Sequence, residues 1–116
     1  MKILKFDHTT LRFRKGINTT FRRFGSGLVP GPCRICKTCE YDGSKWIYDG
    51  EITNIQIFEF DTIPQDLEKI HHSGLSILGI YQRMTKHYQD FRASEIVQVI
   101  SFVPFIDSQR FDDLPF

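Results

Sequence analysis

Five basic side chains fall within a short stretch near the start of the chain: Arg12, Arg14, Lys15, Arg22 and Arg23, interleaved with Thr19 and Thr20. A guanidinium offers a planar fork that matches phosphate, and threonine hydroxyls can hold phosphate oxygens. These residue types point to RNA, a nucleotide or another phosphate-bearing anion. If residues 18–24 are extended, Thr19, Phe21 and Arg23 share one face, and Asn18, Thr20 and Arg22 the other. Only one set can line a cleft. The same residues also fit a solvated face with surface ion pairs. Phe13, Phe21, Trp46 and Tyr48 could stack on bases. Most aromatics serve a core, and Trp46 or Tyr48, at the mouth of an expected hairpin, is the exception sought. Glu51 would suit acid–base chemistry if it faced a desolvated interior, and would be ordinary if it faced water.

Two other groups invite a chemical reading. Cys33, Cys36 and Cys39 have a metal-like spacing, but a strand would point Cys36 away from the other two, so the three could not converge on one ion. Three is also an odd number for a disulfide framework. Free, buried thiols are the expected state, with no metal and no cofactor. His71 and His72 are adjacent and would diverge by about 100° on a helix.

The charge is uneven. Residues 1–45 carry ten Lys/Arg against three Asp/Glu, and residues 46–116 carry five against eleven, although the net charge is only +1. One basic face is the implication. No apolar run reaches the roughly 18 residues that span a bilayer, and the N-terminus is too charged for a secretory signal. A cytoplasmic protein without a membrane partner is expected. At 116 residues the chain fits one domain, drawn as residues 1–105 with a tail at 106–116.

The elements that must position these residues can be drawn from pattern. Residues 1–6 read as a strand. Thr9 or Thr10 caps a short helix over 11–15, which Gly16 ends. Residues 18–24 read as a second strand, followed by a Gly- and Pro-rich loop. Asp42-Gly43 marks a hairpin between runs at 33–41 and 46–60. The apolar phase of the second run is even at Trp46, Tyr48 and Ile52, then odd at Ile55 and Ile57, which predicts a bulge or bend; Gly50 is the candidate. A helix is predicted over 63–73 and another from the Ser76 cap to Tyr88, with Ile77, Ile80, Tyr81, Met84 and Tyr88 as its apolar stripe. Residues 95–105 form a last strand. Such an order suggests an α+β protein built on a small closed or partly closed barrel.

This layout resembles the ASCH domain of the PUA-like superfamily. The family's short helix ends in Gly and leads into a Thr-rich strand that ends in Arg; residues 15–23 match it here. Gly50-Glu51-Ile52-Thr53-Asn54-Ile55 and Val97-Gln98-Val99-Ile100-Ser101-Phe102 fit its later strands. The resemblance implies a small PUA-like β-barrel with one short N-terminal helix and two helices before the last strand. It also implies an RNA- or nucleotide-binding cleft, with Thr19 and Arg23 on the cleft wall. The nucleic-acid contacts then fall on Arg12, Lys15, Thr19, Thr20, Arg22, Arg23, Trp46 and Tyr48. Some members of the family hydrolyse acetylated cytidine. By that analogy a second reading is a small amidohydrolase or nuclease with Thr19, Glu51 and Lys15 in catalytic roles. The family's Lys position falls on Asn18, which can serve neither as base nor as cation. A third reading is a protein-interaction module whose tail, around Phe111 and Phe116, docks a partner.

Overall fold

The computed structural model describes residues 2–6, 13–36 and 48–106. It is a mixed α+β structure with one curled, half-barrel sheet and few helices. The strands are β1 (Lys2–Lys5), β2 (Asn18–Arg23), β3 (Gly31–Cys36), β4 (Tyr48–Glu59) and β5 (Ile96–Pro104), and the helices are α1 (Gln65–Lys69) and α2 (Ile77–His87). The sheet order is β1-β3-β4-β5-β2. Only β1 and β3 run parallel; the other neighbours are antiparallel. The antiparallel β3–β4 pair agrees with the hairpin expectation, whose turn at Asp42-Gly43 lies outside the described residues, as do Trp46, Arg12, Cys39 and the tail at 107–116. Among the described residues no helix is long and apolar enough to cross a membrane.

Both faces of the sheet are covered, which is why its strands lack clean alternation. The concave face holds Leu4, Phe6, Cys33, Ile35, Ile52, Ile100 and Phe102. The convex face packs Phe21, Val97 and Val99 against Phe60, Phe91 and the α2 residues Ile80 and Met84. Helix α2 starts as its sequence predicts, with the Ser76 hydroxyl accepting from the Gly79 N–H at 3.4 Å. The Ile77 N–H is also taken up by the Glu68 carboxylate, at 2.5 Å.

Two helical expectations are corrected. Residues 13–15 are not helical. The Asn18 side chain binds both the N–H and the C=O of Arg14, which a helix would otherwise use, and Gly16 turns the chain at a φ of +92°. The helix expected over 63–73 is only Gln65–Lys69. It stops because the edge of β2 recruits the chain that follows: the Thr19 N–H donates to the Ile70 C=O (2.8 Å), and the His72 N–H donates to the Thr19 C=O (2.9 Å). Two edge hydrogen bonds replace another turn of helix, and His71 becomes a one-residue parallel bridge partner of Thr19.

The phase switch in β4 is present, but the irregularity sits between Ile52 and Asn54, at Thr53. Gly50 has a different role. A Cβ there would lie 2.7 Å from the Val103 carbonyl and 3.1 Å from the Ile35 methyl, so the glycine permits close approach of backbone at a curled corner.

Candidate functional site

Cross-strand register lays out the concave face in rows. Ile52–Phe102–Asn18 and Ile55–Ile100–Thr20 are the inner rows, and Ile57–Gln98–Arg22 comes next, toward the open end. Arg22 therefore stands on the concave wall, where core gives way to solvent. The sheet is not closed: β1 and β2 are its two ends, and Arg22 spans the seam between them. Its Nη2 donates to the Lys5 C=O at 2.7 Å, and its Nε donates to the Thr20 hydroxyl at 3.1 Å. Its guanidinium lies 4.9 Å above the Phe6 ring, a cation–π contact that fixes its plane. Burial holds the Arg22 pKa below the ordinary arginine value. No carboxylate pairs with it among the described residues.

A hollow of about 320 Å³ opens beside this seam. Lys5, Arg22 and Arg23 stand in its wall with Phe24, Ser26 and Tyr88, and among the described residues the wall contains no Asp or Glu. The two arginines differ sharply. Arg23 grips Glu95 with two hydrogen bonds (2.6 and 2.9 Å), reaches Asp90 at 2.9 Å, and lies 5.4 Å from the Tyr88 ring. The hydrogen bonds to Glu95 and then Asp90 raise its pKa. Its charge is already matched, whereas that of Arg22 is not matched among the described residues.

The other expected site residues scatter. Thr19 is fully buried on the convex side, and its hydroxyl donates to the Leu67 C=O at 2.9 Å. Thr19 and Arg23 thus face the helices, and the concave wall takes Asn18, Thr20 and Arg22. Asn18 is fully buried and Thr20 nearly so. Lys15 is exposed in the bend before β2. Glu51 is exposed, with Pro32 and Val103 as its cross-strand neighbours. Thr19, Glu51 and Lys15 are not gathered in one cavity. Tyr48 packs at the rim of the concave core, its ring 6.1 Å from that of Phe13.

Residues missed in the sequence complete the hollow: Lys5 from β1, and Phe24 and Ser26 from the loop after β2. Lys5 carried one usable signal, as a cation in an edge strand.

His71 and His72 do not diverge. Their rings lie 4.4 Å apart at an angle of 31°. His71 meets Phe21 at 4.6 Å, and His72 meets Phe6 at 4.7 Å, so the pair joins the convex cluster to the concave one. The Ser73 N–H donates to His71 Nδ1 at 3.2 Å, which places the His71 proton on Nε2. His72 Nδ1 is buried without a hydrogen-bond partner among the described residues.

Cys33 carries a free thiol, and Cys33 and Cys36 are both fully buried. Burial, then the neighbouring Cys36, pushes the Cys33 thiol up to about 12. Only thiolate reacts readily. Both cysteines are expected to stay unmodified when the native protein meets iodoacetamide at neutral pH, and to label fully in denaturant. Peptide mass spectrometry checks this, and rapid native labelling of Cys33 would contradict its placement in the core.

Comparison with known proteins gives no match to any family model, any curated protein or any solved structure.

Proposed function

We propose that this protein is an RNA- or nucleotide-binding module of the PUA-like, ASCH type, and that its ligand lies in the hollow at the β1–β2 seam. One observation carries the reading. Arg22 is a cation fixed in direction by Phe6, Thr20 and the Lys5 carbonyl, yet it has no carboxylate partner among the described residues. A half-buried, oriented and unmatched guanidinium is what a phosphate-bearing ligand requires, since it meets the anion without rearrangement. Lys5 adds a second positive charge on the same wall, and Phe24, 60% exposed, offers a flat apolar surface beside it. Single-stranded RNA suits a hollow this small, because its bases can splay from the backbone. The basic first half of the chain supplies long-range attraction.

Arg22→Ala is expected to weaken binding of a fluorescein-labelled single-stranded RNA about tenfold, in line with loss of a charge-assisted phosphate contact. Lys86→Ala removes one charge from the exposed side of α2 and should change little. Raising salt from about 50 to about 200 mM should weaken wild-type binding about twentyfold if roughly three phosphates are engaged. Anisotropy titrations measure all three. Affinity that ignores salt, or equal loss in both variants, would discard this site.

A further inference from the structure

We infer that the hollow seats a single nucleotide by a phosphomonoester, whether of a free nucleoside monophosphate or of a phosphorylated RNA end, in preference to a phosphodiester within a chain; this rests on the proposed nucleotide- or RNA-binding role. Size comes first. At about 320 Å³ the hollow lies at the lower end of the range for small-molecule sites. It has room for one nucleotide with one phosphate, and a longer RNA must continue outside it.

Charge comes next. The cations of the wall are Lys5, Arg22 and Arg23. Arg23 is matched by Glu95 and Asp90, whereas Lys5 and Arg22 have no carboxylate partner among the described residues. These two act on one spot. The Lys5 C=O lies 2.7 Å from Arg22 Nη2. The Lys5 ammonium, on its flexible four-carbon stem, therefore reaches a phosphate seated against the guanidinium. Arg22 spends Nε on Thr20 and Nη2 on the Lys5 carbonyl, and its Nη1 makes no hydrogen bond among the described residues. The Ser26 hydroxyl in the same wall is already engaged by Gln98 and by the Leu28 N–H.

One phosphate must therefore answer two cations. A phosphodiester carries a single negative charge, whereas a phosphomonoester carries about −1.5 to −2 at pH 7. Only the monoester matches Lys5 and Arg22 together. It also presents three strong acceptor oxygens, so one can meet Nη1 while another meets the ammonium. The difference is felt strongly here, because a half-buried charge is screened less than one in open water. Phe24, 60% exposed, gives the base a flat surface beside the phosphate. Stacking of this kind accepts every base, so the preference concerns the phosphate and not the identity of the base.

The test uses the full chain and one short single-stranded RNA with an internal fluorescein, made with hydroxyls at both ends, with a 5′-phosphate, or with a 3′-phosphate. At one salt concentration a phosphorylated end is expected to tighten binding about tenfold, in line with one added charge-assisted contact. Lys5→Ala should erase most of that gain, and Lys86→Ala should keep it. Competition separates the two sources. Displacement of the labelled RNA by a free nucleoside monophosphate, but not by its nucleoside, marks the free nucleotide as a ligand; displacement by phosphorylated RNA alone marks the RNA end. Salt-dependent binding with equal affinity for all the RNAs, or a gain undiminished by Lys5→Ala, would overturn the monoester preference and leave the proposed site standing. Failure of every RNA and of the nucleotide to bind would overturn the site and, with it, this inference.

Discussion

Lowering the pH from about 7.5 to about 5 is expected to remove about 4 kcal/mol of folding stability, a large share of what a domain this size has. The cause is the stacked pair His71 and His72. Burial first, and then nearby positive charge, pushes His71 down to about 3 and His72 down to about 2. Arg22 and Arg83 act on both rings, and Arg14 also acts on His71. An unfolded histidine takes up its proton near pH 6.5, while these two remain neutral in the fold until far lower. The folded state thus binds fewer protons throughout that interval. Its stability is complete above about pH 6.5 and declines as the pH falls, by about 1.4 kcal/mol per pH unit for each imidazole. Carboxylate effects enter only at lower pH, so the window is separable. Urea unfolding followed by circular dichroism at a series of pH values measures the slope. His72→Phe should halve it, from about 2.7 to about 1.4 kcal/mol per unit. The ring it replaces already lies among Phe6 and Phe13, and its Nδ1 has no partner to lose among the described residues. Stability that is flat from pH 7 to pH 5 would contradict neutral imidazoles at this junction.

Asn18→Leu is expected to destabilise the protein by about 3 kcal/mol, although the two side chains are close in size. Asn18 is fully buried. Its amide oxygen accepts from the Arg14 N–H at 3.2 Å, and its amide nitrogen donates to the carbonyls of Arg14 (2.8 Å) and Gly16 (3.2 Å). Leucine would leave one part-buried donor and two acceptors without their partner, at about 1 kcal/mol each. The effect should reach α1 as well, because Arg14 Nη1 donates to the Lys69 carbonyl at 3.1 Å. Chemical denaturation gives the magnitude, and faster amide exchange at Thr19 would report loosening of the edge that Ile70 and His72 cover. A loss below about 0.5 kcal/mol would mean that the clamp is not what holds this bend. Asn18 therefore serves as a structural staple at this bend.

The parts of the fold that were legible in the sequence are those decided locally. Helix α2 follows from its Ser76 cap and apolar stripe, and β5 from its run of branched residues. The bend in β4 was visible as a change of phase, but Gly50 was the wrong cause. The strand does not need glycine to bulge, whereas it does need a missing methyl where Val103 approaches. The face of β2 was not legible, because residues on both of its faces are buried and alternation carries no information there. The helix predicted over 63–73 overran the short α1, because its end is set by hydrogen bonds to Thr19, far away in sequence. The same limit hid the pairing of Gln98 with Arg22, which exists only in the register of the folded sheet.

The strand order has a consequence for synthesis. Strand β5 lies between β4 and β2 and joins them, yet it is the last of the five strands in sequence. Until residues 96–104 leave the ribosome, β2 has no partner in the sheet, and the concave wall that holds Arg22 cannot exist. A nascent chain halted before that point would carry two unjoined pieces with bare edges, which invite association with other chains. Folding must therefore await nearly the whole described chain, and the long-range pairings make it slow for so short a protein.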